Sequence, residues 1–183
     1  MSYLLLILYY FINQLHCHIQ MKYPPPRRST FNKVYPGEPD YDMSSPINLS
    51  QFPCKGYAPG PIVASYTAGG TIPVELYGTA THNGGHCQFS LSYDNGATFV
   101  VISTIMNDCL TNNNMNYNIK IPEQVPQADK LIFSWTWVNR SGNREYYMNC
   151  ADIQIKNSLK ECSYTNKKML VANLQGYPTI PEF

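Results

Sequence analysis

Histidine is scarce in this 183-residue chain: His16, His18, His82 and His86 are the complete set. Two of them share one loop, His82-Asn83-Gly84-Gly85-His86-Cys87, at i and i+4. A structural zinc site would show Cys and His ligands in close pairs, and only this loop comes near, with a Cys better used in a disulfide. The chain has no Cys-x-x-Cys pair and no Gly-x-Ser-x-Gly elbow, so dithiol redox chemistry and a hydrolase nucleophile both lack a starting point. Its 12 acidic residues include none that stands out as half of a glycosidase pair. What remains is His18. At the start of a processed chain it would offer two nitrogens to one metal, its α-amine and its ring Nδ1, and a second histidine would supply a third. Three nitrogens in a T shape with no thiolate suit copper, which tops the divalent affinity order. The amine starts near pKa ~8 and must lose its proton to bind, so affinity should rise with pH. The alternative for His18 is a solvent-exposed terminal residue.

That chemistry depends on processing. Residues 3–12 (YLLLILYYFI) form a ten-residue apolar run, too short for a bilayer, which takes roughly 20 residues. The length suits the apolar stretch of a secretory signal, with Asn13-Gln14-Leu15-His16-Cys17 as its polar exit. Residues 1–17 are therefore expected to be a signal peptide, and residues 18–183 a single secreted domain. No Lys or Arg precedes the run, and the other reading is an N-terminal hydrophobic strand. Two Asn-x-Ser sequons, at Asn48 and Asn139, become possible glycosylation sites outside the cell.

The elements that must position these residues read as strands. Only 14% of the residues are charged, against roughly 25% in an average soluble domain, which excludes a long-helix or coiled-coil protein. A formal charge of +1 gives no electrostatic case for nucleic acid or an anionic membrane. Pro 14, Gly 11 and Tyr 15 fit many short strands joined by turns. Residues 18–60, rich in Pro and polar residues, read as extended loop or short edge segments. In residues 71–77, Ile72, Val74 and Leu76 share one face. Residues 88–93 alternate Phe89, Leu91 and Tyr93 with polar partners, and Asp94-Asn95-Gly96 is a hairpin signal that makes residues 99–105 the return strand. Tyr117, Ile119 and Ile121 alternate again after an Asn-rich loop. Leu131, Phe133, Trp135 and Trp137 share one face of a further strand, and residues 147–155 supply another. The expected fold is all-β, an immunoglobulin- or fibronectin-like antiparallel β-sandwich with long loops, whose tail, residues 164–183, wraps it or stays irregular. Disulfides should staple it: Cys87 with Cys109 across the expected hairpin, and Cys54 with Cys150 from the loop-rich start to the last strand. Cys162 is then left without a partner.

Three separated blocks carry a family resemblance. His18-Ile19-Gln20-Met21 followed by Tyr23-Pro24-Pro25-Pro26, ATHNGGHCQFSLSYDNGATFVVI (residues 80–102) and FSWTWVNRSGNREYYMNCADIQI (residues 133–155) resemble the fungal lytic polysaccharide monooxygenases, most closely the chitin-active group, auxiliary activity family eleven. The resemblance implies that His18 and His82 hold one copper in a histidine brace. It implies that Tyr147 lies on the axial side and that Glu145 is the carboxylate near the open coordination position. Strand geometry agrees that Glu145 and Tyr147, two apart, point to one face. Without the resemblance, Tyr147 reads as a core or rim tyrosine and Glu145 as a solvated turn carboxylate. It further implies an external electron donor, hydrogen peroxide or dioxygen as co-substrate, and an insoluble polysaccharide, chitin before others, acted on by a secreted monomer. Tyr23 would either stack on sugar rings or pack inward.

Two departures from the family pattern stand out. His86 occupies a place where a small residue is usual, so it either displaces His82 as ligand or stands beside it. Residues 171–178 pass through a region where a partner for Cys162 is expected and hold none, and losing a native disulfide typically costs about 2–5 kcal/mol. The readings that compete with a monooxygenase are a copper-binding protein on the same scaffold without polysaccharide activity, and a metal-free binding module.

Overall fold

The structure is a computed structural model that describes residues 18–183; the expected leader, residues 1–17, lies outside the described residues. Two sheets face each other. The smaller has the order β1-β3-β6, with β1 Ile19–Tyr23, β3 Thr71–Gly78 and β6 Asn116–Lys120. The larger has the order β2-β8-β7-β4-β5, with β2 Ala64–Thr67, β4 Gly85–Ser92, β5 Val100–Cys109, β7 Ala128–Asn139 and β8 Tyr146–Lys156. Among the described residues no helix is long and apolar enough to cross a membrane.

Alternation explains which side chains fill the space between the sheets. From the small sheet Ile19, Met21, Ile72, Val74, Leu76 and Ile119 point inward; from the large one Phe89, Leu91, Phe133, Trp135, Trp137, Tyr147 and Ile153 meet them. The intervening residues of β7 and β8 are buried as well. Ile132, Val138, Tyr146, Met148 and Cys150 form a second core on the outer side of the large sheet, closed by Ile47, Cys54, Met169, Ala172 and Leu174. The central strands are thus covered on both faces, by the small sheet on one side and by the loop-rich start and the tail on the other.

Both expected disulfides are formed, Cys54–Cys150 and Cys87–Cys109, and among the described residues Cys162 is free. Two expectations need correction. The sandwich is not purely antiparallel, because β2 pairs with β8 in parallel. Residues 99–105 also do not return along β4 as a regular hairpin: β4 and β5 share a single bridge, Gly85 to Asp108. The turn itself is well made, for the Asp94 carboxylate accepts from the Ser92 hydroxyl at 2.8 Å and from the Thr98 amide at 2.9 Å. The strand leaving it gives its hydrogen bonds to the tail instead, since Val101 N–H donates to Lys167 O at 3.0 Å and Met169 N–H to Phe99 O at 3.2 Å.

Candidate metal centre

Four chain segments end at the same edge of the sandwich. Strand β1 begins beside His18 and pairs antiparallel with the end of β3, Ile19 opposite Gly78. Strand β4 begins just after His82, and β7 ends where β8 begins, with Trp137 opposite Tyr147. Gly78 is required there: at its φ of +147 an added Cβ would lie 2.0 Å from the His18 carbonyl oxygen. Any side chain would push His18 off the strand.

His82 sits in a left-handed turn, with φ +48, followed by Asn83 at +60. Its neighbours hold that uncommon backbone in place. The His82 carbonyl accepts from the Ser141 amide at 3.2 Å and from the Ser141 hydroxyl at 3.0 Å, and Asn83 Nδ2 donates to Ser141 Oγ at 2.9 Å. The loop between β7 and β8 is organised in turn by Asn139. Its amide donates to Ser141 O at 2.8 Å and Asn143 O at 2.7 Å, and its Oδ1 accepts from Glu145 N at 3.3 Å. Asn139 is therefore fully buried and spent internally, which removes it as a glycan site in the folded protein.

These constraints bring His18, His82 and Glu145 together, each offering a donor atom within 4.8 Å of the others. The two imidazoles lie 5.8 Å apart at 16°, and His18 is also 5.8 Å from the Tyr147 ring. His82 Nε2 is 3.8 Å from Glu145 Oε2, which accepts a 2.6 Å hydrogen bond from the Tyr147 hydroxyl. Burial, with Glu145 reinforcing it, raises the Tyr147 pKa far above that of an ordinary phenol, so Tyr147 stays a donor. Burial lowers the His82 pKa, against the pull of Glu145 and with some help from His18, which favours the neutral imidazole that a metal needs. Trp137, not singled out by its sequence beyond a core face, underlies both groups, 5.6 Å from His82 and 4.5 Å from Tyr147.

Among the described residues, His82 Nε2 is buried without a hydrogen-bond partner. A buried polar atom left so carries a desolvation cost of about 1–3 kcal/mol, and a metal ion at the shared donors would remove it. Two imidazoles and a carboxylate, with no thiolate, fit a borderline divalent ion such as copper. His86 stands elsewhere. Its ring is stacked on Phe183 and its Nδ1 accepts from Asn107 N–H at 3.0 Å, so it is not a member of the His18–His82–Glu145 group.

Comparison with known proteins gives this geometry a family. The chain is 50% identical over 144 residues to AA11 family lytic polysaccharide monooxygenase A of Aspergillus fumigatus, covering 75% of this chain and 64% of that protein. It is 32% identical over 161 residues to an AA11 family lytic polysaccharide monooxygenase of Aspergillus oryzae, covering 71% of this chain and 38% of that protein. The chain is a relative of the AA11 lytic polysaccharide monooxygenases. AA11 monooxygenase B of A. fumigatus matches 90% of this chain at 30% identity, and 46% of its own length is covered. The chain spans under two thirds of the length of each of these three relatives. No family model matches the chain. Its fold is similar to that of a cellulose-active polysaccharide monooxygenase from M. thermophila, with a TM-score of 0.53 at 15% identity over 80% of this chain and 78% of that one.

Proposed function

We propose that residues 18–183 form a copper-dependent monooxygenase domain that oxidatively cleaves glycosidic bonds in insoluble polysaccharide, chitin-like before others, after secretion and removal of residues 1–17. The observation that carries this reading is the convergence of His18 and His82, with an orphaned buried nitrogen on His82, beside a Glu145–Tyr147 pair. The identity to AA11 proteins supports the choice of copper and of polysaccharide.

His18 and His82 would hold the ion, His18 through its ring and the amine that processing exposes. When bound, copper supplies one-electron chemistry between an external reductant and a hydrogen peroxide or dioxygen co-substrate. The protein's own part is positional. Glu145 presents Oε2 toward the donors and is itself fixed by the Tyr147 hydroxyl, so it can hold or hand over a proton at one defined point. Tyr147, with Trp137 behind it, fills the side beneath the histidines and excludes water from it. The domain is expected to work as a monomer on a surface rather than in a deep pocket.

The test starts with protein secreted from a eukaryotic host, loaded with copper, desalted and weighed intact. A chain beginning at His18 with one retained copper is the expected result. Incubation with chitin, a reductant and peroxide should then release oxidised oligosaccharides. Copper retention with no oxidised product from chitin or cellulose would leave a copper-binding protein without this activity. No retained copper would end the metal reading.

A further inference from the structure

Residues 180–183 lie against the loop that carries Glu145 and against the start of β4, which follows His82. On the Glu145 side, Glu182 Oε1 accepts from Gly142 N–H at 2.6 Å, and Arg144 Nη1 donates to Ile180 O at 3.3 Å and to Asn139 O at 3.1 Å. Asn173 links the same pieces: its amide donates to Glu145 O at 3.0 Å and its Oδ1 accepts from Ile180 N–H at 2.8 Å. On the other side, Phe183 lies flat on the His86 ring, centroids 4.0 Å apart at 5°, with the Arg140 guanidinium 5.7 Å from the Phe183 centroid. His86 belongs to the start of β4, four residues beyond His82. Gly142, which Glu182 holds, lies against His82: a Cβ there would come within 3.1 Å of His82 Nδ1.

We propose that residues 180–183 are a strap that positions the metal centre, Glu182 anchoring the Gly142 loop and Phe183 anchoring the start of β4, so that His82 and Glu145 keep one mutual geometry. None of these residues reaches the donor atoms. They are positioning residues, and the inference rests on the reading of His18 and His82 as copper ligands. Physically the strap does for the ligands what an outer hydrogen-bonding partner does in other metal sites, limiting the orientations open to an imidazole. Phe183 is 41% exposed, so its removal leaves no core cavity and tests position rather than folding.

The experiment compares wild type, Phe183→Ala/Glu182→Ala and Phe183→Tyr, each as residues 18–183. Copper affinity is measured by competition with a chelator, and the Cu(II) site by electron paramagnetic resonance. The double variant should bind copper about tenfold more weakly, at the low end of what losing an outer support costs a metal site. It should show a mixture of Cu(II) signals where wild type shows one, and Phe183→Tyr, which keeps the stack, should keep the single signal. Wild-type affinity and spectrum in the double variant would overturn the strap, as would a mixed signal in Phe183→Tyr. Amide hydrogen exchange in the metal-free protein decides the matter independently of copper. Residues 82–86 and 141–145 should exchange faster in the double variant, and unchanged exchange there would overturn the strap. A wild-type protein that takes up no copper would instead sink the proposed function, with exchange still judging the strap.

Discussion

Two buried polar clusters in this protein are built from similar parts and solve opposite problems. Around Arg27 every group is answered. The Asp152 carboxylate accepts from Arg27 Nε at 2.8 Å, from Arg27 Nη2 at 2.6 Å and from Gly60 N–H at 2.8 Å, while Arg27 Nη1 donates to Tyr57 O at 3.0 Å. Both side chains are almost wholly buried, at 4% and 2% exposure. At the other cluster His82 Nε2 has no partner among the described residues, and the nearest carboxylate is already engaged by Tyr147. A satisfied cluster needs nothing further and reads as structural, here tying the loop-rich start to β8. A convergent cluster left one partner short reads as the seat of a ligand.

The largest separation between the two should come from His82→Ala. Copper affinity should fall by more than about a hundredfold, beyond the range of outer-partner losses, while the metal-free protein keeps its denaturation midpoint because an unsatisfied group has gone. A metal-free protein that unfolds with the substitution would make His82 structural. Arg27→Met should do the reverse. It strands a buried carboxylate and should cost about 3–5 kcal/mol in chemical denaturation, with copper affinity of the folded fraction unchanged. A parallel loss of copper binding would show that the two clusters are not separate.

The disulfides sharpen the contrast at a smaller scale. Cys54–Cys150 adjoins the satisfied cluster, since Arg27 N–H donates to Cys150 O at 2.8 Å, and it closes a separation of 96 residues against 22 for Cys87–Cys109. On loop-closure entropy alone, replacing the pair at 54 and 150 with Ser should cost about 1 kcal/mol more than replacing the pair at 87 and 109. Only the second replacement should also weaken copper binding, because Cys87 lies at the start of β4 beside the His82 loop. Equal effects on copper from both would dissolve the distinction.

What was legible beforehand follows the physics of each level. Period-2 alternation marked β3, β6 and β7 with their inward faces, because half-buried strands must write that pattern, while β8 was expected as a strand without an assigned face. The second core was not legible. Its partners, Met169, Ala172 and Leu174, lie in an irregular tail with no period to follow, and that same tail took the hydrogen bonds expected to run between β4 and β5. In the site, Glu145 and Tyr147 were placed on one face by their spacing. His18 and His82 come from distant segments, and only the resemblance joined them. Asn139 was visible merely as a sequon. The signal missed was its setting, in a short Asn-, Ser- and Gly-rich loop between two strands buried on both faces, where a buried amide organises a turn. His86, four residues from His82, could not be separated from it by type or spacing. The left-handed turn at His82 and Asn83, ahead of β4, and the stack of His86 with Phe183 separate them in space.

His86 supplies the smallest effect and a direct check on that separation. Burial holds its pKa below the ordinary 6.5 of histidine, and the positive charge of Arg140 adds to the shift. Its Nδ1 accepts from Asn107 N–H, a bond that only the neutral ring can make at that nitrogen. The folded state therefore binds its proton less readily than the unfolded chain does. Around and below pH 6.5 the unfolded state carries more protons, so stability should fall as pH drops through the ordinary histidine range and should be fully present above it. Replacing His86 with Gln removes that titration while keeping a side chain able to accept from Asn107. The melting temperature of the metal-free variant should then change less between pH 8 and pH 5 than that of wild type, with copper affinity at pH 8 within about threefold of wild type, a change well below a ligand's loss. A collapse of copper binding in His86→Gln matching that of His82→Ala would make both histidines ligands and erase the line drawn between the bare nitrogen of His82 and the engaged ring of His86.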